Sequence, residues 1–138
     1  MMSDATNNTR SLVPLRIALV VIGLIFIFGI YPQTLLWPSG WRWGHGSSHY
    51  LAMILGIYAT LGIFLLFAAR NPFAHRSLIW FTVVSSVVHA GIMAAQAIGD
   101  SAERGHLVGD VPALLVVAVV LTLLMPRAAG TRQAQPSG

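Results

Sequence analysis

Four apolar stretches, each close to the length of a bilayer-crossing helix and almost free of charge, dominate this 138-residue chain. They run over about 12–30, 48–69, 75–98 and 111–125. The fourth is short. At ~1.5 Å per residue its roughly 15 residues reach only about 23 Å, so it is expected to stand upright or to thin the bilayer locally. Charged residues are 9% of the chain and hydrophobic residues 56%. A soluble domain carries about 25% charge, so a water-soluble fold this poor in charge lacks the polar surface to cover itself. The apolar excess must face lipid. With no Cys, disulfides and thiolate sites are excluded.

Local signals set the boundaries. Ser11 and Pro14 suit the start of the first span, and Ser47 or Ser48 suits the start of the second, after the Gly44-His45-Gly46 stretch. Asn71-Pro72 opens the third and Gly99 stops it. Asp110 as cap and Pro112 in the first turn open the fourth, which ends before Pro126. The first apolar run is too long for a cleaved signal sequence and no small-x-small site follows it, so an uncleaved span is expected. Residues 1–10 and 127–138 read as disordered tails. The tight Arg70-Asn71-Pro72 link makes spans two and three an antiparallel hairpin. The expected fold is all-α: an integral membrane, up-down four-helix bundle.

All eight basic residues are Arg, set at the ends of the apolar segments. They form no run and no aromatic-basic interleave, so nucleic acid is not an expected partner. Arg10, Arg16, Arg70, Arg76, Arg127 and Arg132 fall on one side, and Arg42 and Arg104 on the other. The side richer in Arg is expected to be cytoplasmic, which gives an N-in/C-in protein with loops 31–47 and 99–110 outside. Trp37, Trp41 and Trp43 read as an interfacial belt. His75, beside Arg76 on the inner side, reads as a headgroup contact.

Polar side chains inside apolar spans are costly and face the bundle interior. The third span carries six residues on one helical face: Thr82, Ser85, His89, Met93, Gln96 and Asp100. For its Ser, Thr and Gln the plain reading is interhelical hydrogen bonding. A neighbouring stripe of small residues, Ser86, Ala90, Ala94 and Ala97, suits close helix packing. The pattern His-x-x-x-Met occurs at His49-Met53 and again at His89-Met93. Imidazole with thioether suits copper, although Met is also ordinary packing material. The two His stand at different depths, which argues against both of them ligating one haem.

On the outer side, His45, His49, Asp100, Glu103, His106 and Asp110 project together, a donor set suited to a first-row metal. The plainer alternative makes Asp110 a helix cap, pairs Glu103 with Arg104 and leaves His45 and His106 solvated. The expected ligand-binding set is His49, His89, Gln96, Asp100 and His106, with His49, His89, Asp100 and His106 as the metal-ligating subset. In that reading His49, His89 and Asp100 line one outer cavity and His106 closes it. No catalytic motif is present.

Several stretches together resemble a family of small bacterial four-helix membrane proteins known only as a domain of unknown function. They are Tyr31-Pro32, Leu36-Trp37-Pro38-Ser39-Gly40-Trp41-Arg42-Trp43, Ser48-His49-Tyr50, Ile54-Leu55-Gly56-Ile57-Tyr58-Ala59-Thr60, Ala69-Arg70-Asn71-Pro72, Gly105-His106-Leu107 and Gly109-Asp110-Val111-Pro112. The resemblance covers about residues 31–125. It implies a bacterial inner-membrane location and the bundle fold, and no activity.

Three functions remain open from the sequence. The first is an accessory or structural membrane component, packed in lipid against itself or a larger complex. The second is a ligand-binding or redox-accessory protein that holds a metal ion or a quinone-like headgroup. The third is a membrane enzyme or an oligomeric transporter. The sequence names no cofactor.

Overall fold

The computed structural model describes residues 2–42 and 49–126, the side chains of residues 2–11 excepted. His45, Trp43, the Ser47/Ser48 cap and the tail from Arg127 onward lie outside the described residues. The described residues are mostly helical, with no strand among them. α1 spans Met2–Leu24 and passes through a π-helical turn, Ile25–Gly29, into α2, Ile30–Leu36. A short α3, Pro38–Trp41, follows. α4 is His49–Arg70, α5 is Arg76–Gly99, and a 3-10 segment, Ser101–Leu107, leads into α6, Asp110–Leu124. Four of these stretches are long and apolar enough to cross a membrane: Leu12–Leu36, His49–Arg70, Arg76–Gly99 and Ser101–Leu124.

The first span is longer than its sequence signals imply. Helix begins inside the segment expected to be a disordered tail, so Pro14 lies within α1 rather than in its first turn. Pro14 has no N–H for the helical bond to residue 10, and the ladder is interrupted there. At the other end the helix does not stop at Ile30. It continues to Leu36, with the buried Thr34 hydroxyl donating to the Tyr31 carbonyl at 2.7 Å. The 3-10 segment lengthens the fourth span in the same way, although α6 itself has the expected 15 residues.

Leu12, Ala69, Ile79 and Met125 share one core cluster, so the start of span one, the end of span two, the start of span three and the end of span four meet at one end of the bundle. Here this is called the turn end, after the α4–α5 connection. In that connection Asn71 Oδ1 accepts from the Ala74 N–H at 3.4 Å. Arg76 reaches across to donate to the Pro126 carbonyl at 3.4 Å. The opposite end is closed by α3 lying on the 3-10 segment and is called the capped end.

The helices pack as two pairs, α1 with α4 and α5 with α6. Sequential neighbours α4 and α5 touch far less, so the expected hairpin exists in connectivity but is not the main packing unit. Glycine explains the first pair. A Cβ on Gly62 would stand 2.6 Å from the Gly23 carbonyl oxygen, and a Cβ on Gly23 would stand 2.8 Å from that of Gly62. The two backbones meet face to face, a distance only glycine permits. The second pair uses small residues. Ser86, Ala90 and Ala97 are buried and Ala94 half-buried, and Val111, Leu114, Ala118 and Leu121 are the buried apolar residues of α6.

The core is uneven along the bundle axis. Toward the turn end all four helices contribute to one cluster, which includes the fully buried Leu15, Leu19, Leu65, Ile79 and Leu121. Toward the capped end the buried apolar residues come from α5 and α6 alone: Ala90, Met93, Val111 and Leu114. There the two pairs separate and a cavity opens between them.

Candidate functional site

The cavity has a volume of about 460 Å³. All four spans line it, with Phe26 and Ile25 from the π-helical turn, Leu55 and Tyr58 from α4, His89 and Met93 from α5, and Val117 and Asp110 from α6. Trp41 of α3 closes it toward the capped end. Val21, Ile25 and Val116 border it and are exposed, so it opens onto the apolar flank of the bundle between α1 and α6. Its size falls in the range of small-molecule sites, which run to roughly 300–1,000 Å³. Such sites are apolar walls with a few placed polar groups, and this one has that composition.

A polar contact between Tyr58 and His89 spans the gap between the helix pairs. The Tyr58 hydroxyl lies 3.2 Å from His89 Nδ1, with the rings 5.7 Å apart at 61°. Tyr58 is held from the other side by Phe26, edge to face at 5.0 Å and 80°. Phe26 is buried in the π-helical turn, so the extra residue in that turn sets where the aromatic stack begins. A neutral imidazole has one donor and one acceptor nitrogen, so His89 keeps a second hydrogen-bonding position after Tyr58 takes the first.

Asp110 links the cavity to a second polar group under the cap. Its Oδ2 accepts from the His106 ring at Nδ1, 2.8 Å away. His106 Nε2 lies 3.2 Å from Glu103 Oε2. His106 is completely buried and Asp110 nearly so. A carboxylate only accepts, so the His106 ring is the donor in the 2.8 Å contact with Asp110. The local backbone explains the burial. A Cβ on Gly105 would collide with the Ser39 carbonyl and one on Gly109 with the Gly40 carbonyl, so α3 lies directly on the 3-10 backbone. Gly109 is also the residue at the N-cap of α6, where Asp110 had been expected, and the Asp110 side chain is used on His106 instead.

The expected site residues separate into different places. His89 and Met93 face the cavity. His49 is the exposed first residue of α4 and Met53 is exposed beside it, because the inward face of α4 carries Leu51, Ile54, Leu55 and Tyr58. The two His-x-x-x-Met motifs thus point away from each other. Gln96 is exposed. Asp100 is exposed too and caps the 3-10 segment, accepting from the Ala102 N–H at 2.9 Å. His49, Gln96, Asp100 and His106 do not line the cavity that holds His89, although His106 meets its wall through Asp110. Among the described residues no three His, Asp or Glu side chains are grouped to hold a metal ion. The two hydroxyls of the α5 polar stripe are satisfied locally. Thr82 donates to the Leu78 carbonyl at 2.9 Å and Ser85 to the Thr82 carbonyl at 3.3 Å, both within their own helix rather than across to another.

Sequence reasoning missed Tyr58 and underrated Asp110. A signal for Tyr58 was present: a tyrosine in the middle of an apolar span needs a partner for its hydroxyl. For Asp110 no signal distinguished a helix cap from a histidine partner four residues back.

Residues 10–138 match the model of a family described as a family of unknown function, DUF6632. The chain belongs to this family. No curated protein and no solved structure matches it. The DUF6632 match takes in both the α3 stretch Trp37-Pro38-Ser39-Gly40-Trp41 and the stretch Gly105-His106 to Asp110, which the fold stacks backbone to backbone at the capped end.

Proposed function

We propose that this DUF6632 protein resides in the bacterial inner membrane, with both termini cytoplasmic, and holds one amphiphilic small molecule between its helices as an accessory or redox-accessory component. The single observation that carries the binding reading is the cavity itself: apolar walls from all four spans, with Tyr58 and His89 as the polar contact. A quinone-like headgroup suits it. A carbonyl or hydroxyl of such a ring would bond to His89 or Tyr58, while an isoprenoid or acyl chain leaves between α1 and α6 into lipid. The capped end, with Asp100, Glu103 and Asp110, faces the periplasm in this reading, since the Arg-rich turn end is the cytoplasmic one.

Native mass spectrometry of the detergent-purified protein tests binding. The wild type should carry an apolar organic molecule. His89→Ala should lose it with helicity and oligomeric state retained, and Ile54→Phe, which fills the cavity, should lose it as well. Retention by both variants would end the proposal. A reporter fused after Gly138 that works only in the periplasm would reverse the orientation.

A second reading, a structural component that docks with a further helix, draws on Gly56 and Gly91. Both face outward with nothing within 4 Å of where a Cβ would stand. Ala52, Gly56 and Thr60 form an exposed small-residue row on α4. Gly56→Leu should then disrupt assembly while leaving the bound molecule in place.

A further inference from the structure

At the turn end a second cleft of about 460 Å³ lies between α1 and α4, and Val21 borders both it and the cavity mouth. Its walls are Val20 and Val21 from α1 and Leu66 and Ala69 from α4, and Arg16 and Arg70 stand at one end. Arg16 lies four residues inside the first apolar span, about 6 Å along the helix. Its side chain is half-buried, and its Nε is buried with no hydrogen-bond partner among the described residues. A guanidinium cannot shed its charge, so an unsatisfied buried N–H on it is costly. No acid is near to pair with it. Asp100, Glu103 and Asp110 are all at the capped end, and Asp4 lies about 18 Å back along α1. Arg70 is exposed and lies over the Phe67 ring at 5.3 Å, which fixes its stem and leaves its donors free to reach a ligand.

The cleft is graded. Val20 and Val21 are about one turn deeper than Arg16, and Leu66 is one turn deeper than Arg70, so both helices run from charge to apolar surface in the same direction. We infer that this cleft is a binding site for one anionic phospholipid, whose phosphate sits between Arg16 and Arg70 and whose acyl chain follows Val20, Val21 and Leu66 toward the bundle centre. The buried Nε requires an acceptor, two guanidinium groups select negative charge, and the apolar wall selects a chain. The inference shares the membrane placement proposed above but does not depend on a molecule in the four-helix cavity.

The test is native mass spectrometry of the full chain in detergent, titrated in separate arms with phosphatidylglycerol, phosphatidylcholine and inorganic phosphate. The wild type should take up one phosphatidylglycerol, preferred about tenfold or more over phosphatidylcholine. The double variant Arg16→Gln/Arg70→Gln should lose that preference, whereas Arg42→Gln at the capped end should keep it. Val20→Trp fills the cleft without touching either charge and should also lose the lipid, so the result does not rest on the arginine variants folding. Equal uptake of the two lipids, unchanged selectivity in the double variant, or phosphate alone competing as well as the lipid would overturn the site. Loss of lipid selectivity with the cavity molecule still bound, or the reverse, shows which of the two sites has failed.

Discussion

The two halves of the bundle are built from the same four spans and have nearly opposite interiors. In the turn-end half, Leu15, Leu19, Leu65, Ile79 and Leu121 are fully buried and all four helices meet. In the capped half the helix pairs part, the space between them is open, and polar groups are concentrated there: Tyr58 with His89, and His106 between Glu103 and Asp110. Lipid offers no hydrophobic force to close the gap, because a methyl group facing lipid is as well solvated as one facing another helix. Close packing and hydrogen bonds then decide where helices meet. The turn-end half is held by interlocking side chains. The capped half is held apart by an aromatic stack and closed over by a glycine-lined cap.

The largest expected effect comes from the cap. His106→Ala removes the ring between two acids and leaves Asp110 buried beside Glu103. Leaving a buried acid without its hydrogen-bonded partner costs about 3–5 kcal/mol, so the thermal midpoint in detergent should fall steeply. If it falls by less than the Leu65 variant below, the buried His106 cluster does not hold the cap.

A second contrast separates packed from unpacked wall. Leu65→Ala should cost about 2–5 kcal/mol, as a fully buried leucine does, whereas Leu55→Ala on the cavity wall should cost about 1 kcal/mol, because few of its neighbours lose a contact. Equal costs by denaturant or thermal unfolding would mean that the capped half is packed as tightly as the other.

The α5–α6 seam supplies the finest comparison. Ala90→Leu should overpack and cost on the order of 1–3 kcal/mol, while Ala94→Leu, half-buried one turn farther on, should cost less than that. The reverse order would place the helix contact on the other side of the stripe.

The sequence carried most of the fold and little of the site, for a physical reason. Span number and rough length follow from apolar run length, which lipid imposes residue by residue. The small-residue stripe Ser86, Ala90 and Ala97 is legible because close approach needs small side chains. Which helices pair is not legible in the same way. Short connections suggested α4 with α5, yet Gly23 and Gly62, separated by 39 positions, bring α1 to α4. The side to which a helical residue points depends on that pairing. His49 and His89 therefore looked equivalent, but α4 turns His49 outward and α5 turns His89 inward. His106 was expected over a cavity mouth and is instead sealed beneath α3, because the glycines at 105 and 109 let two backbones touch.

The central claim is that His89, and not the other histidines, meets a bound molecule in the capped half. The chain has five His, so nitrogen-15 histidine labelling gives a readable spectrum. On adding a short-chain benzoquinone to the protein in detergent, the His89 ring resonances should shift and those of His49, His75 and His106 should stay in place, and Tyr58→Phe should weaken the shift. An unmoved His89, or a His49 that moves in its place, would contradict the account.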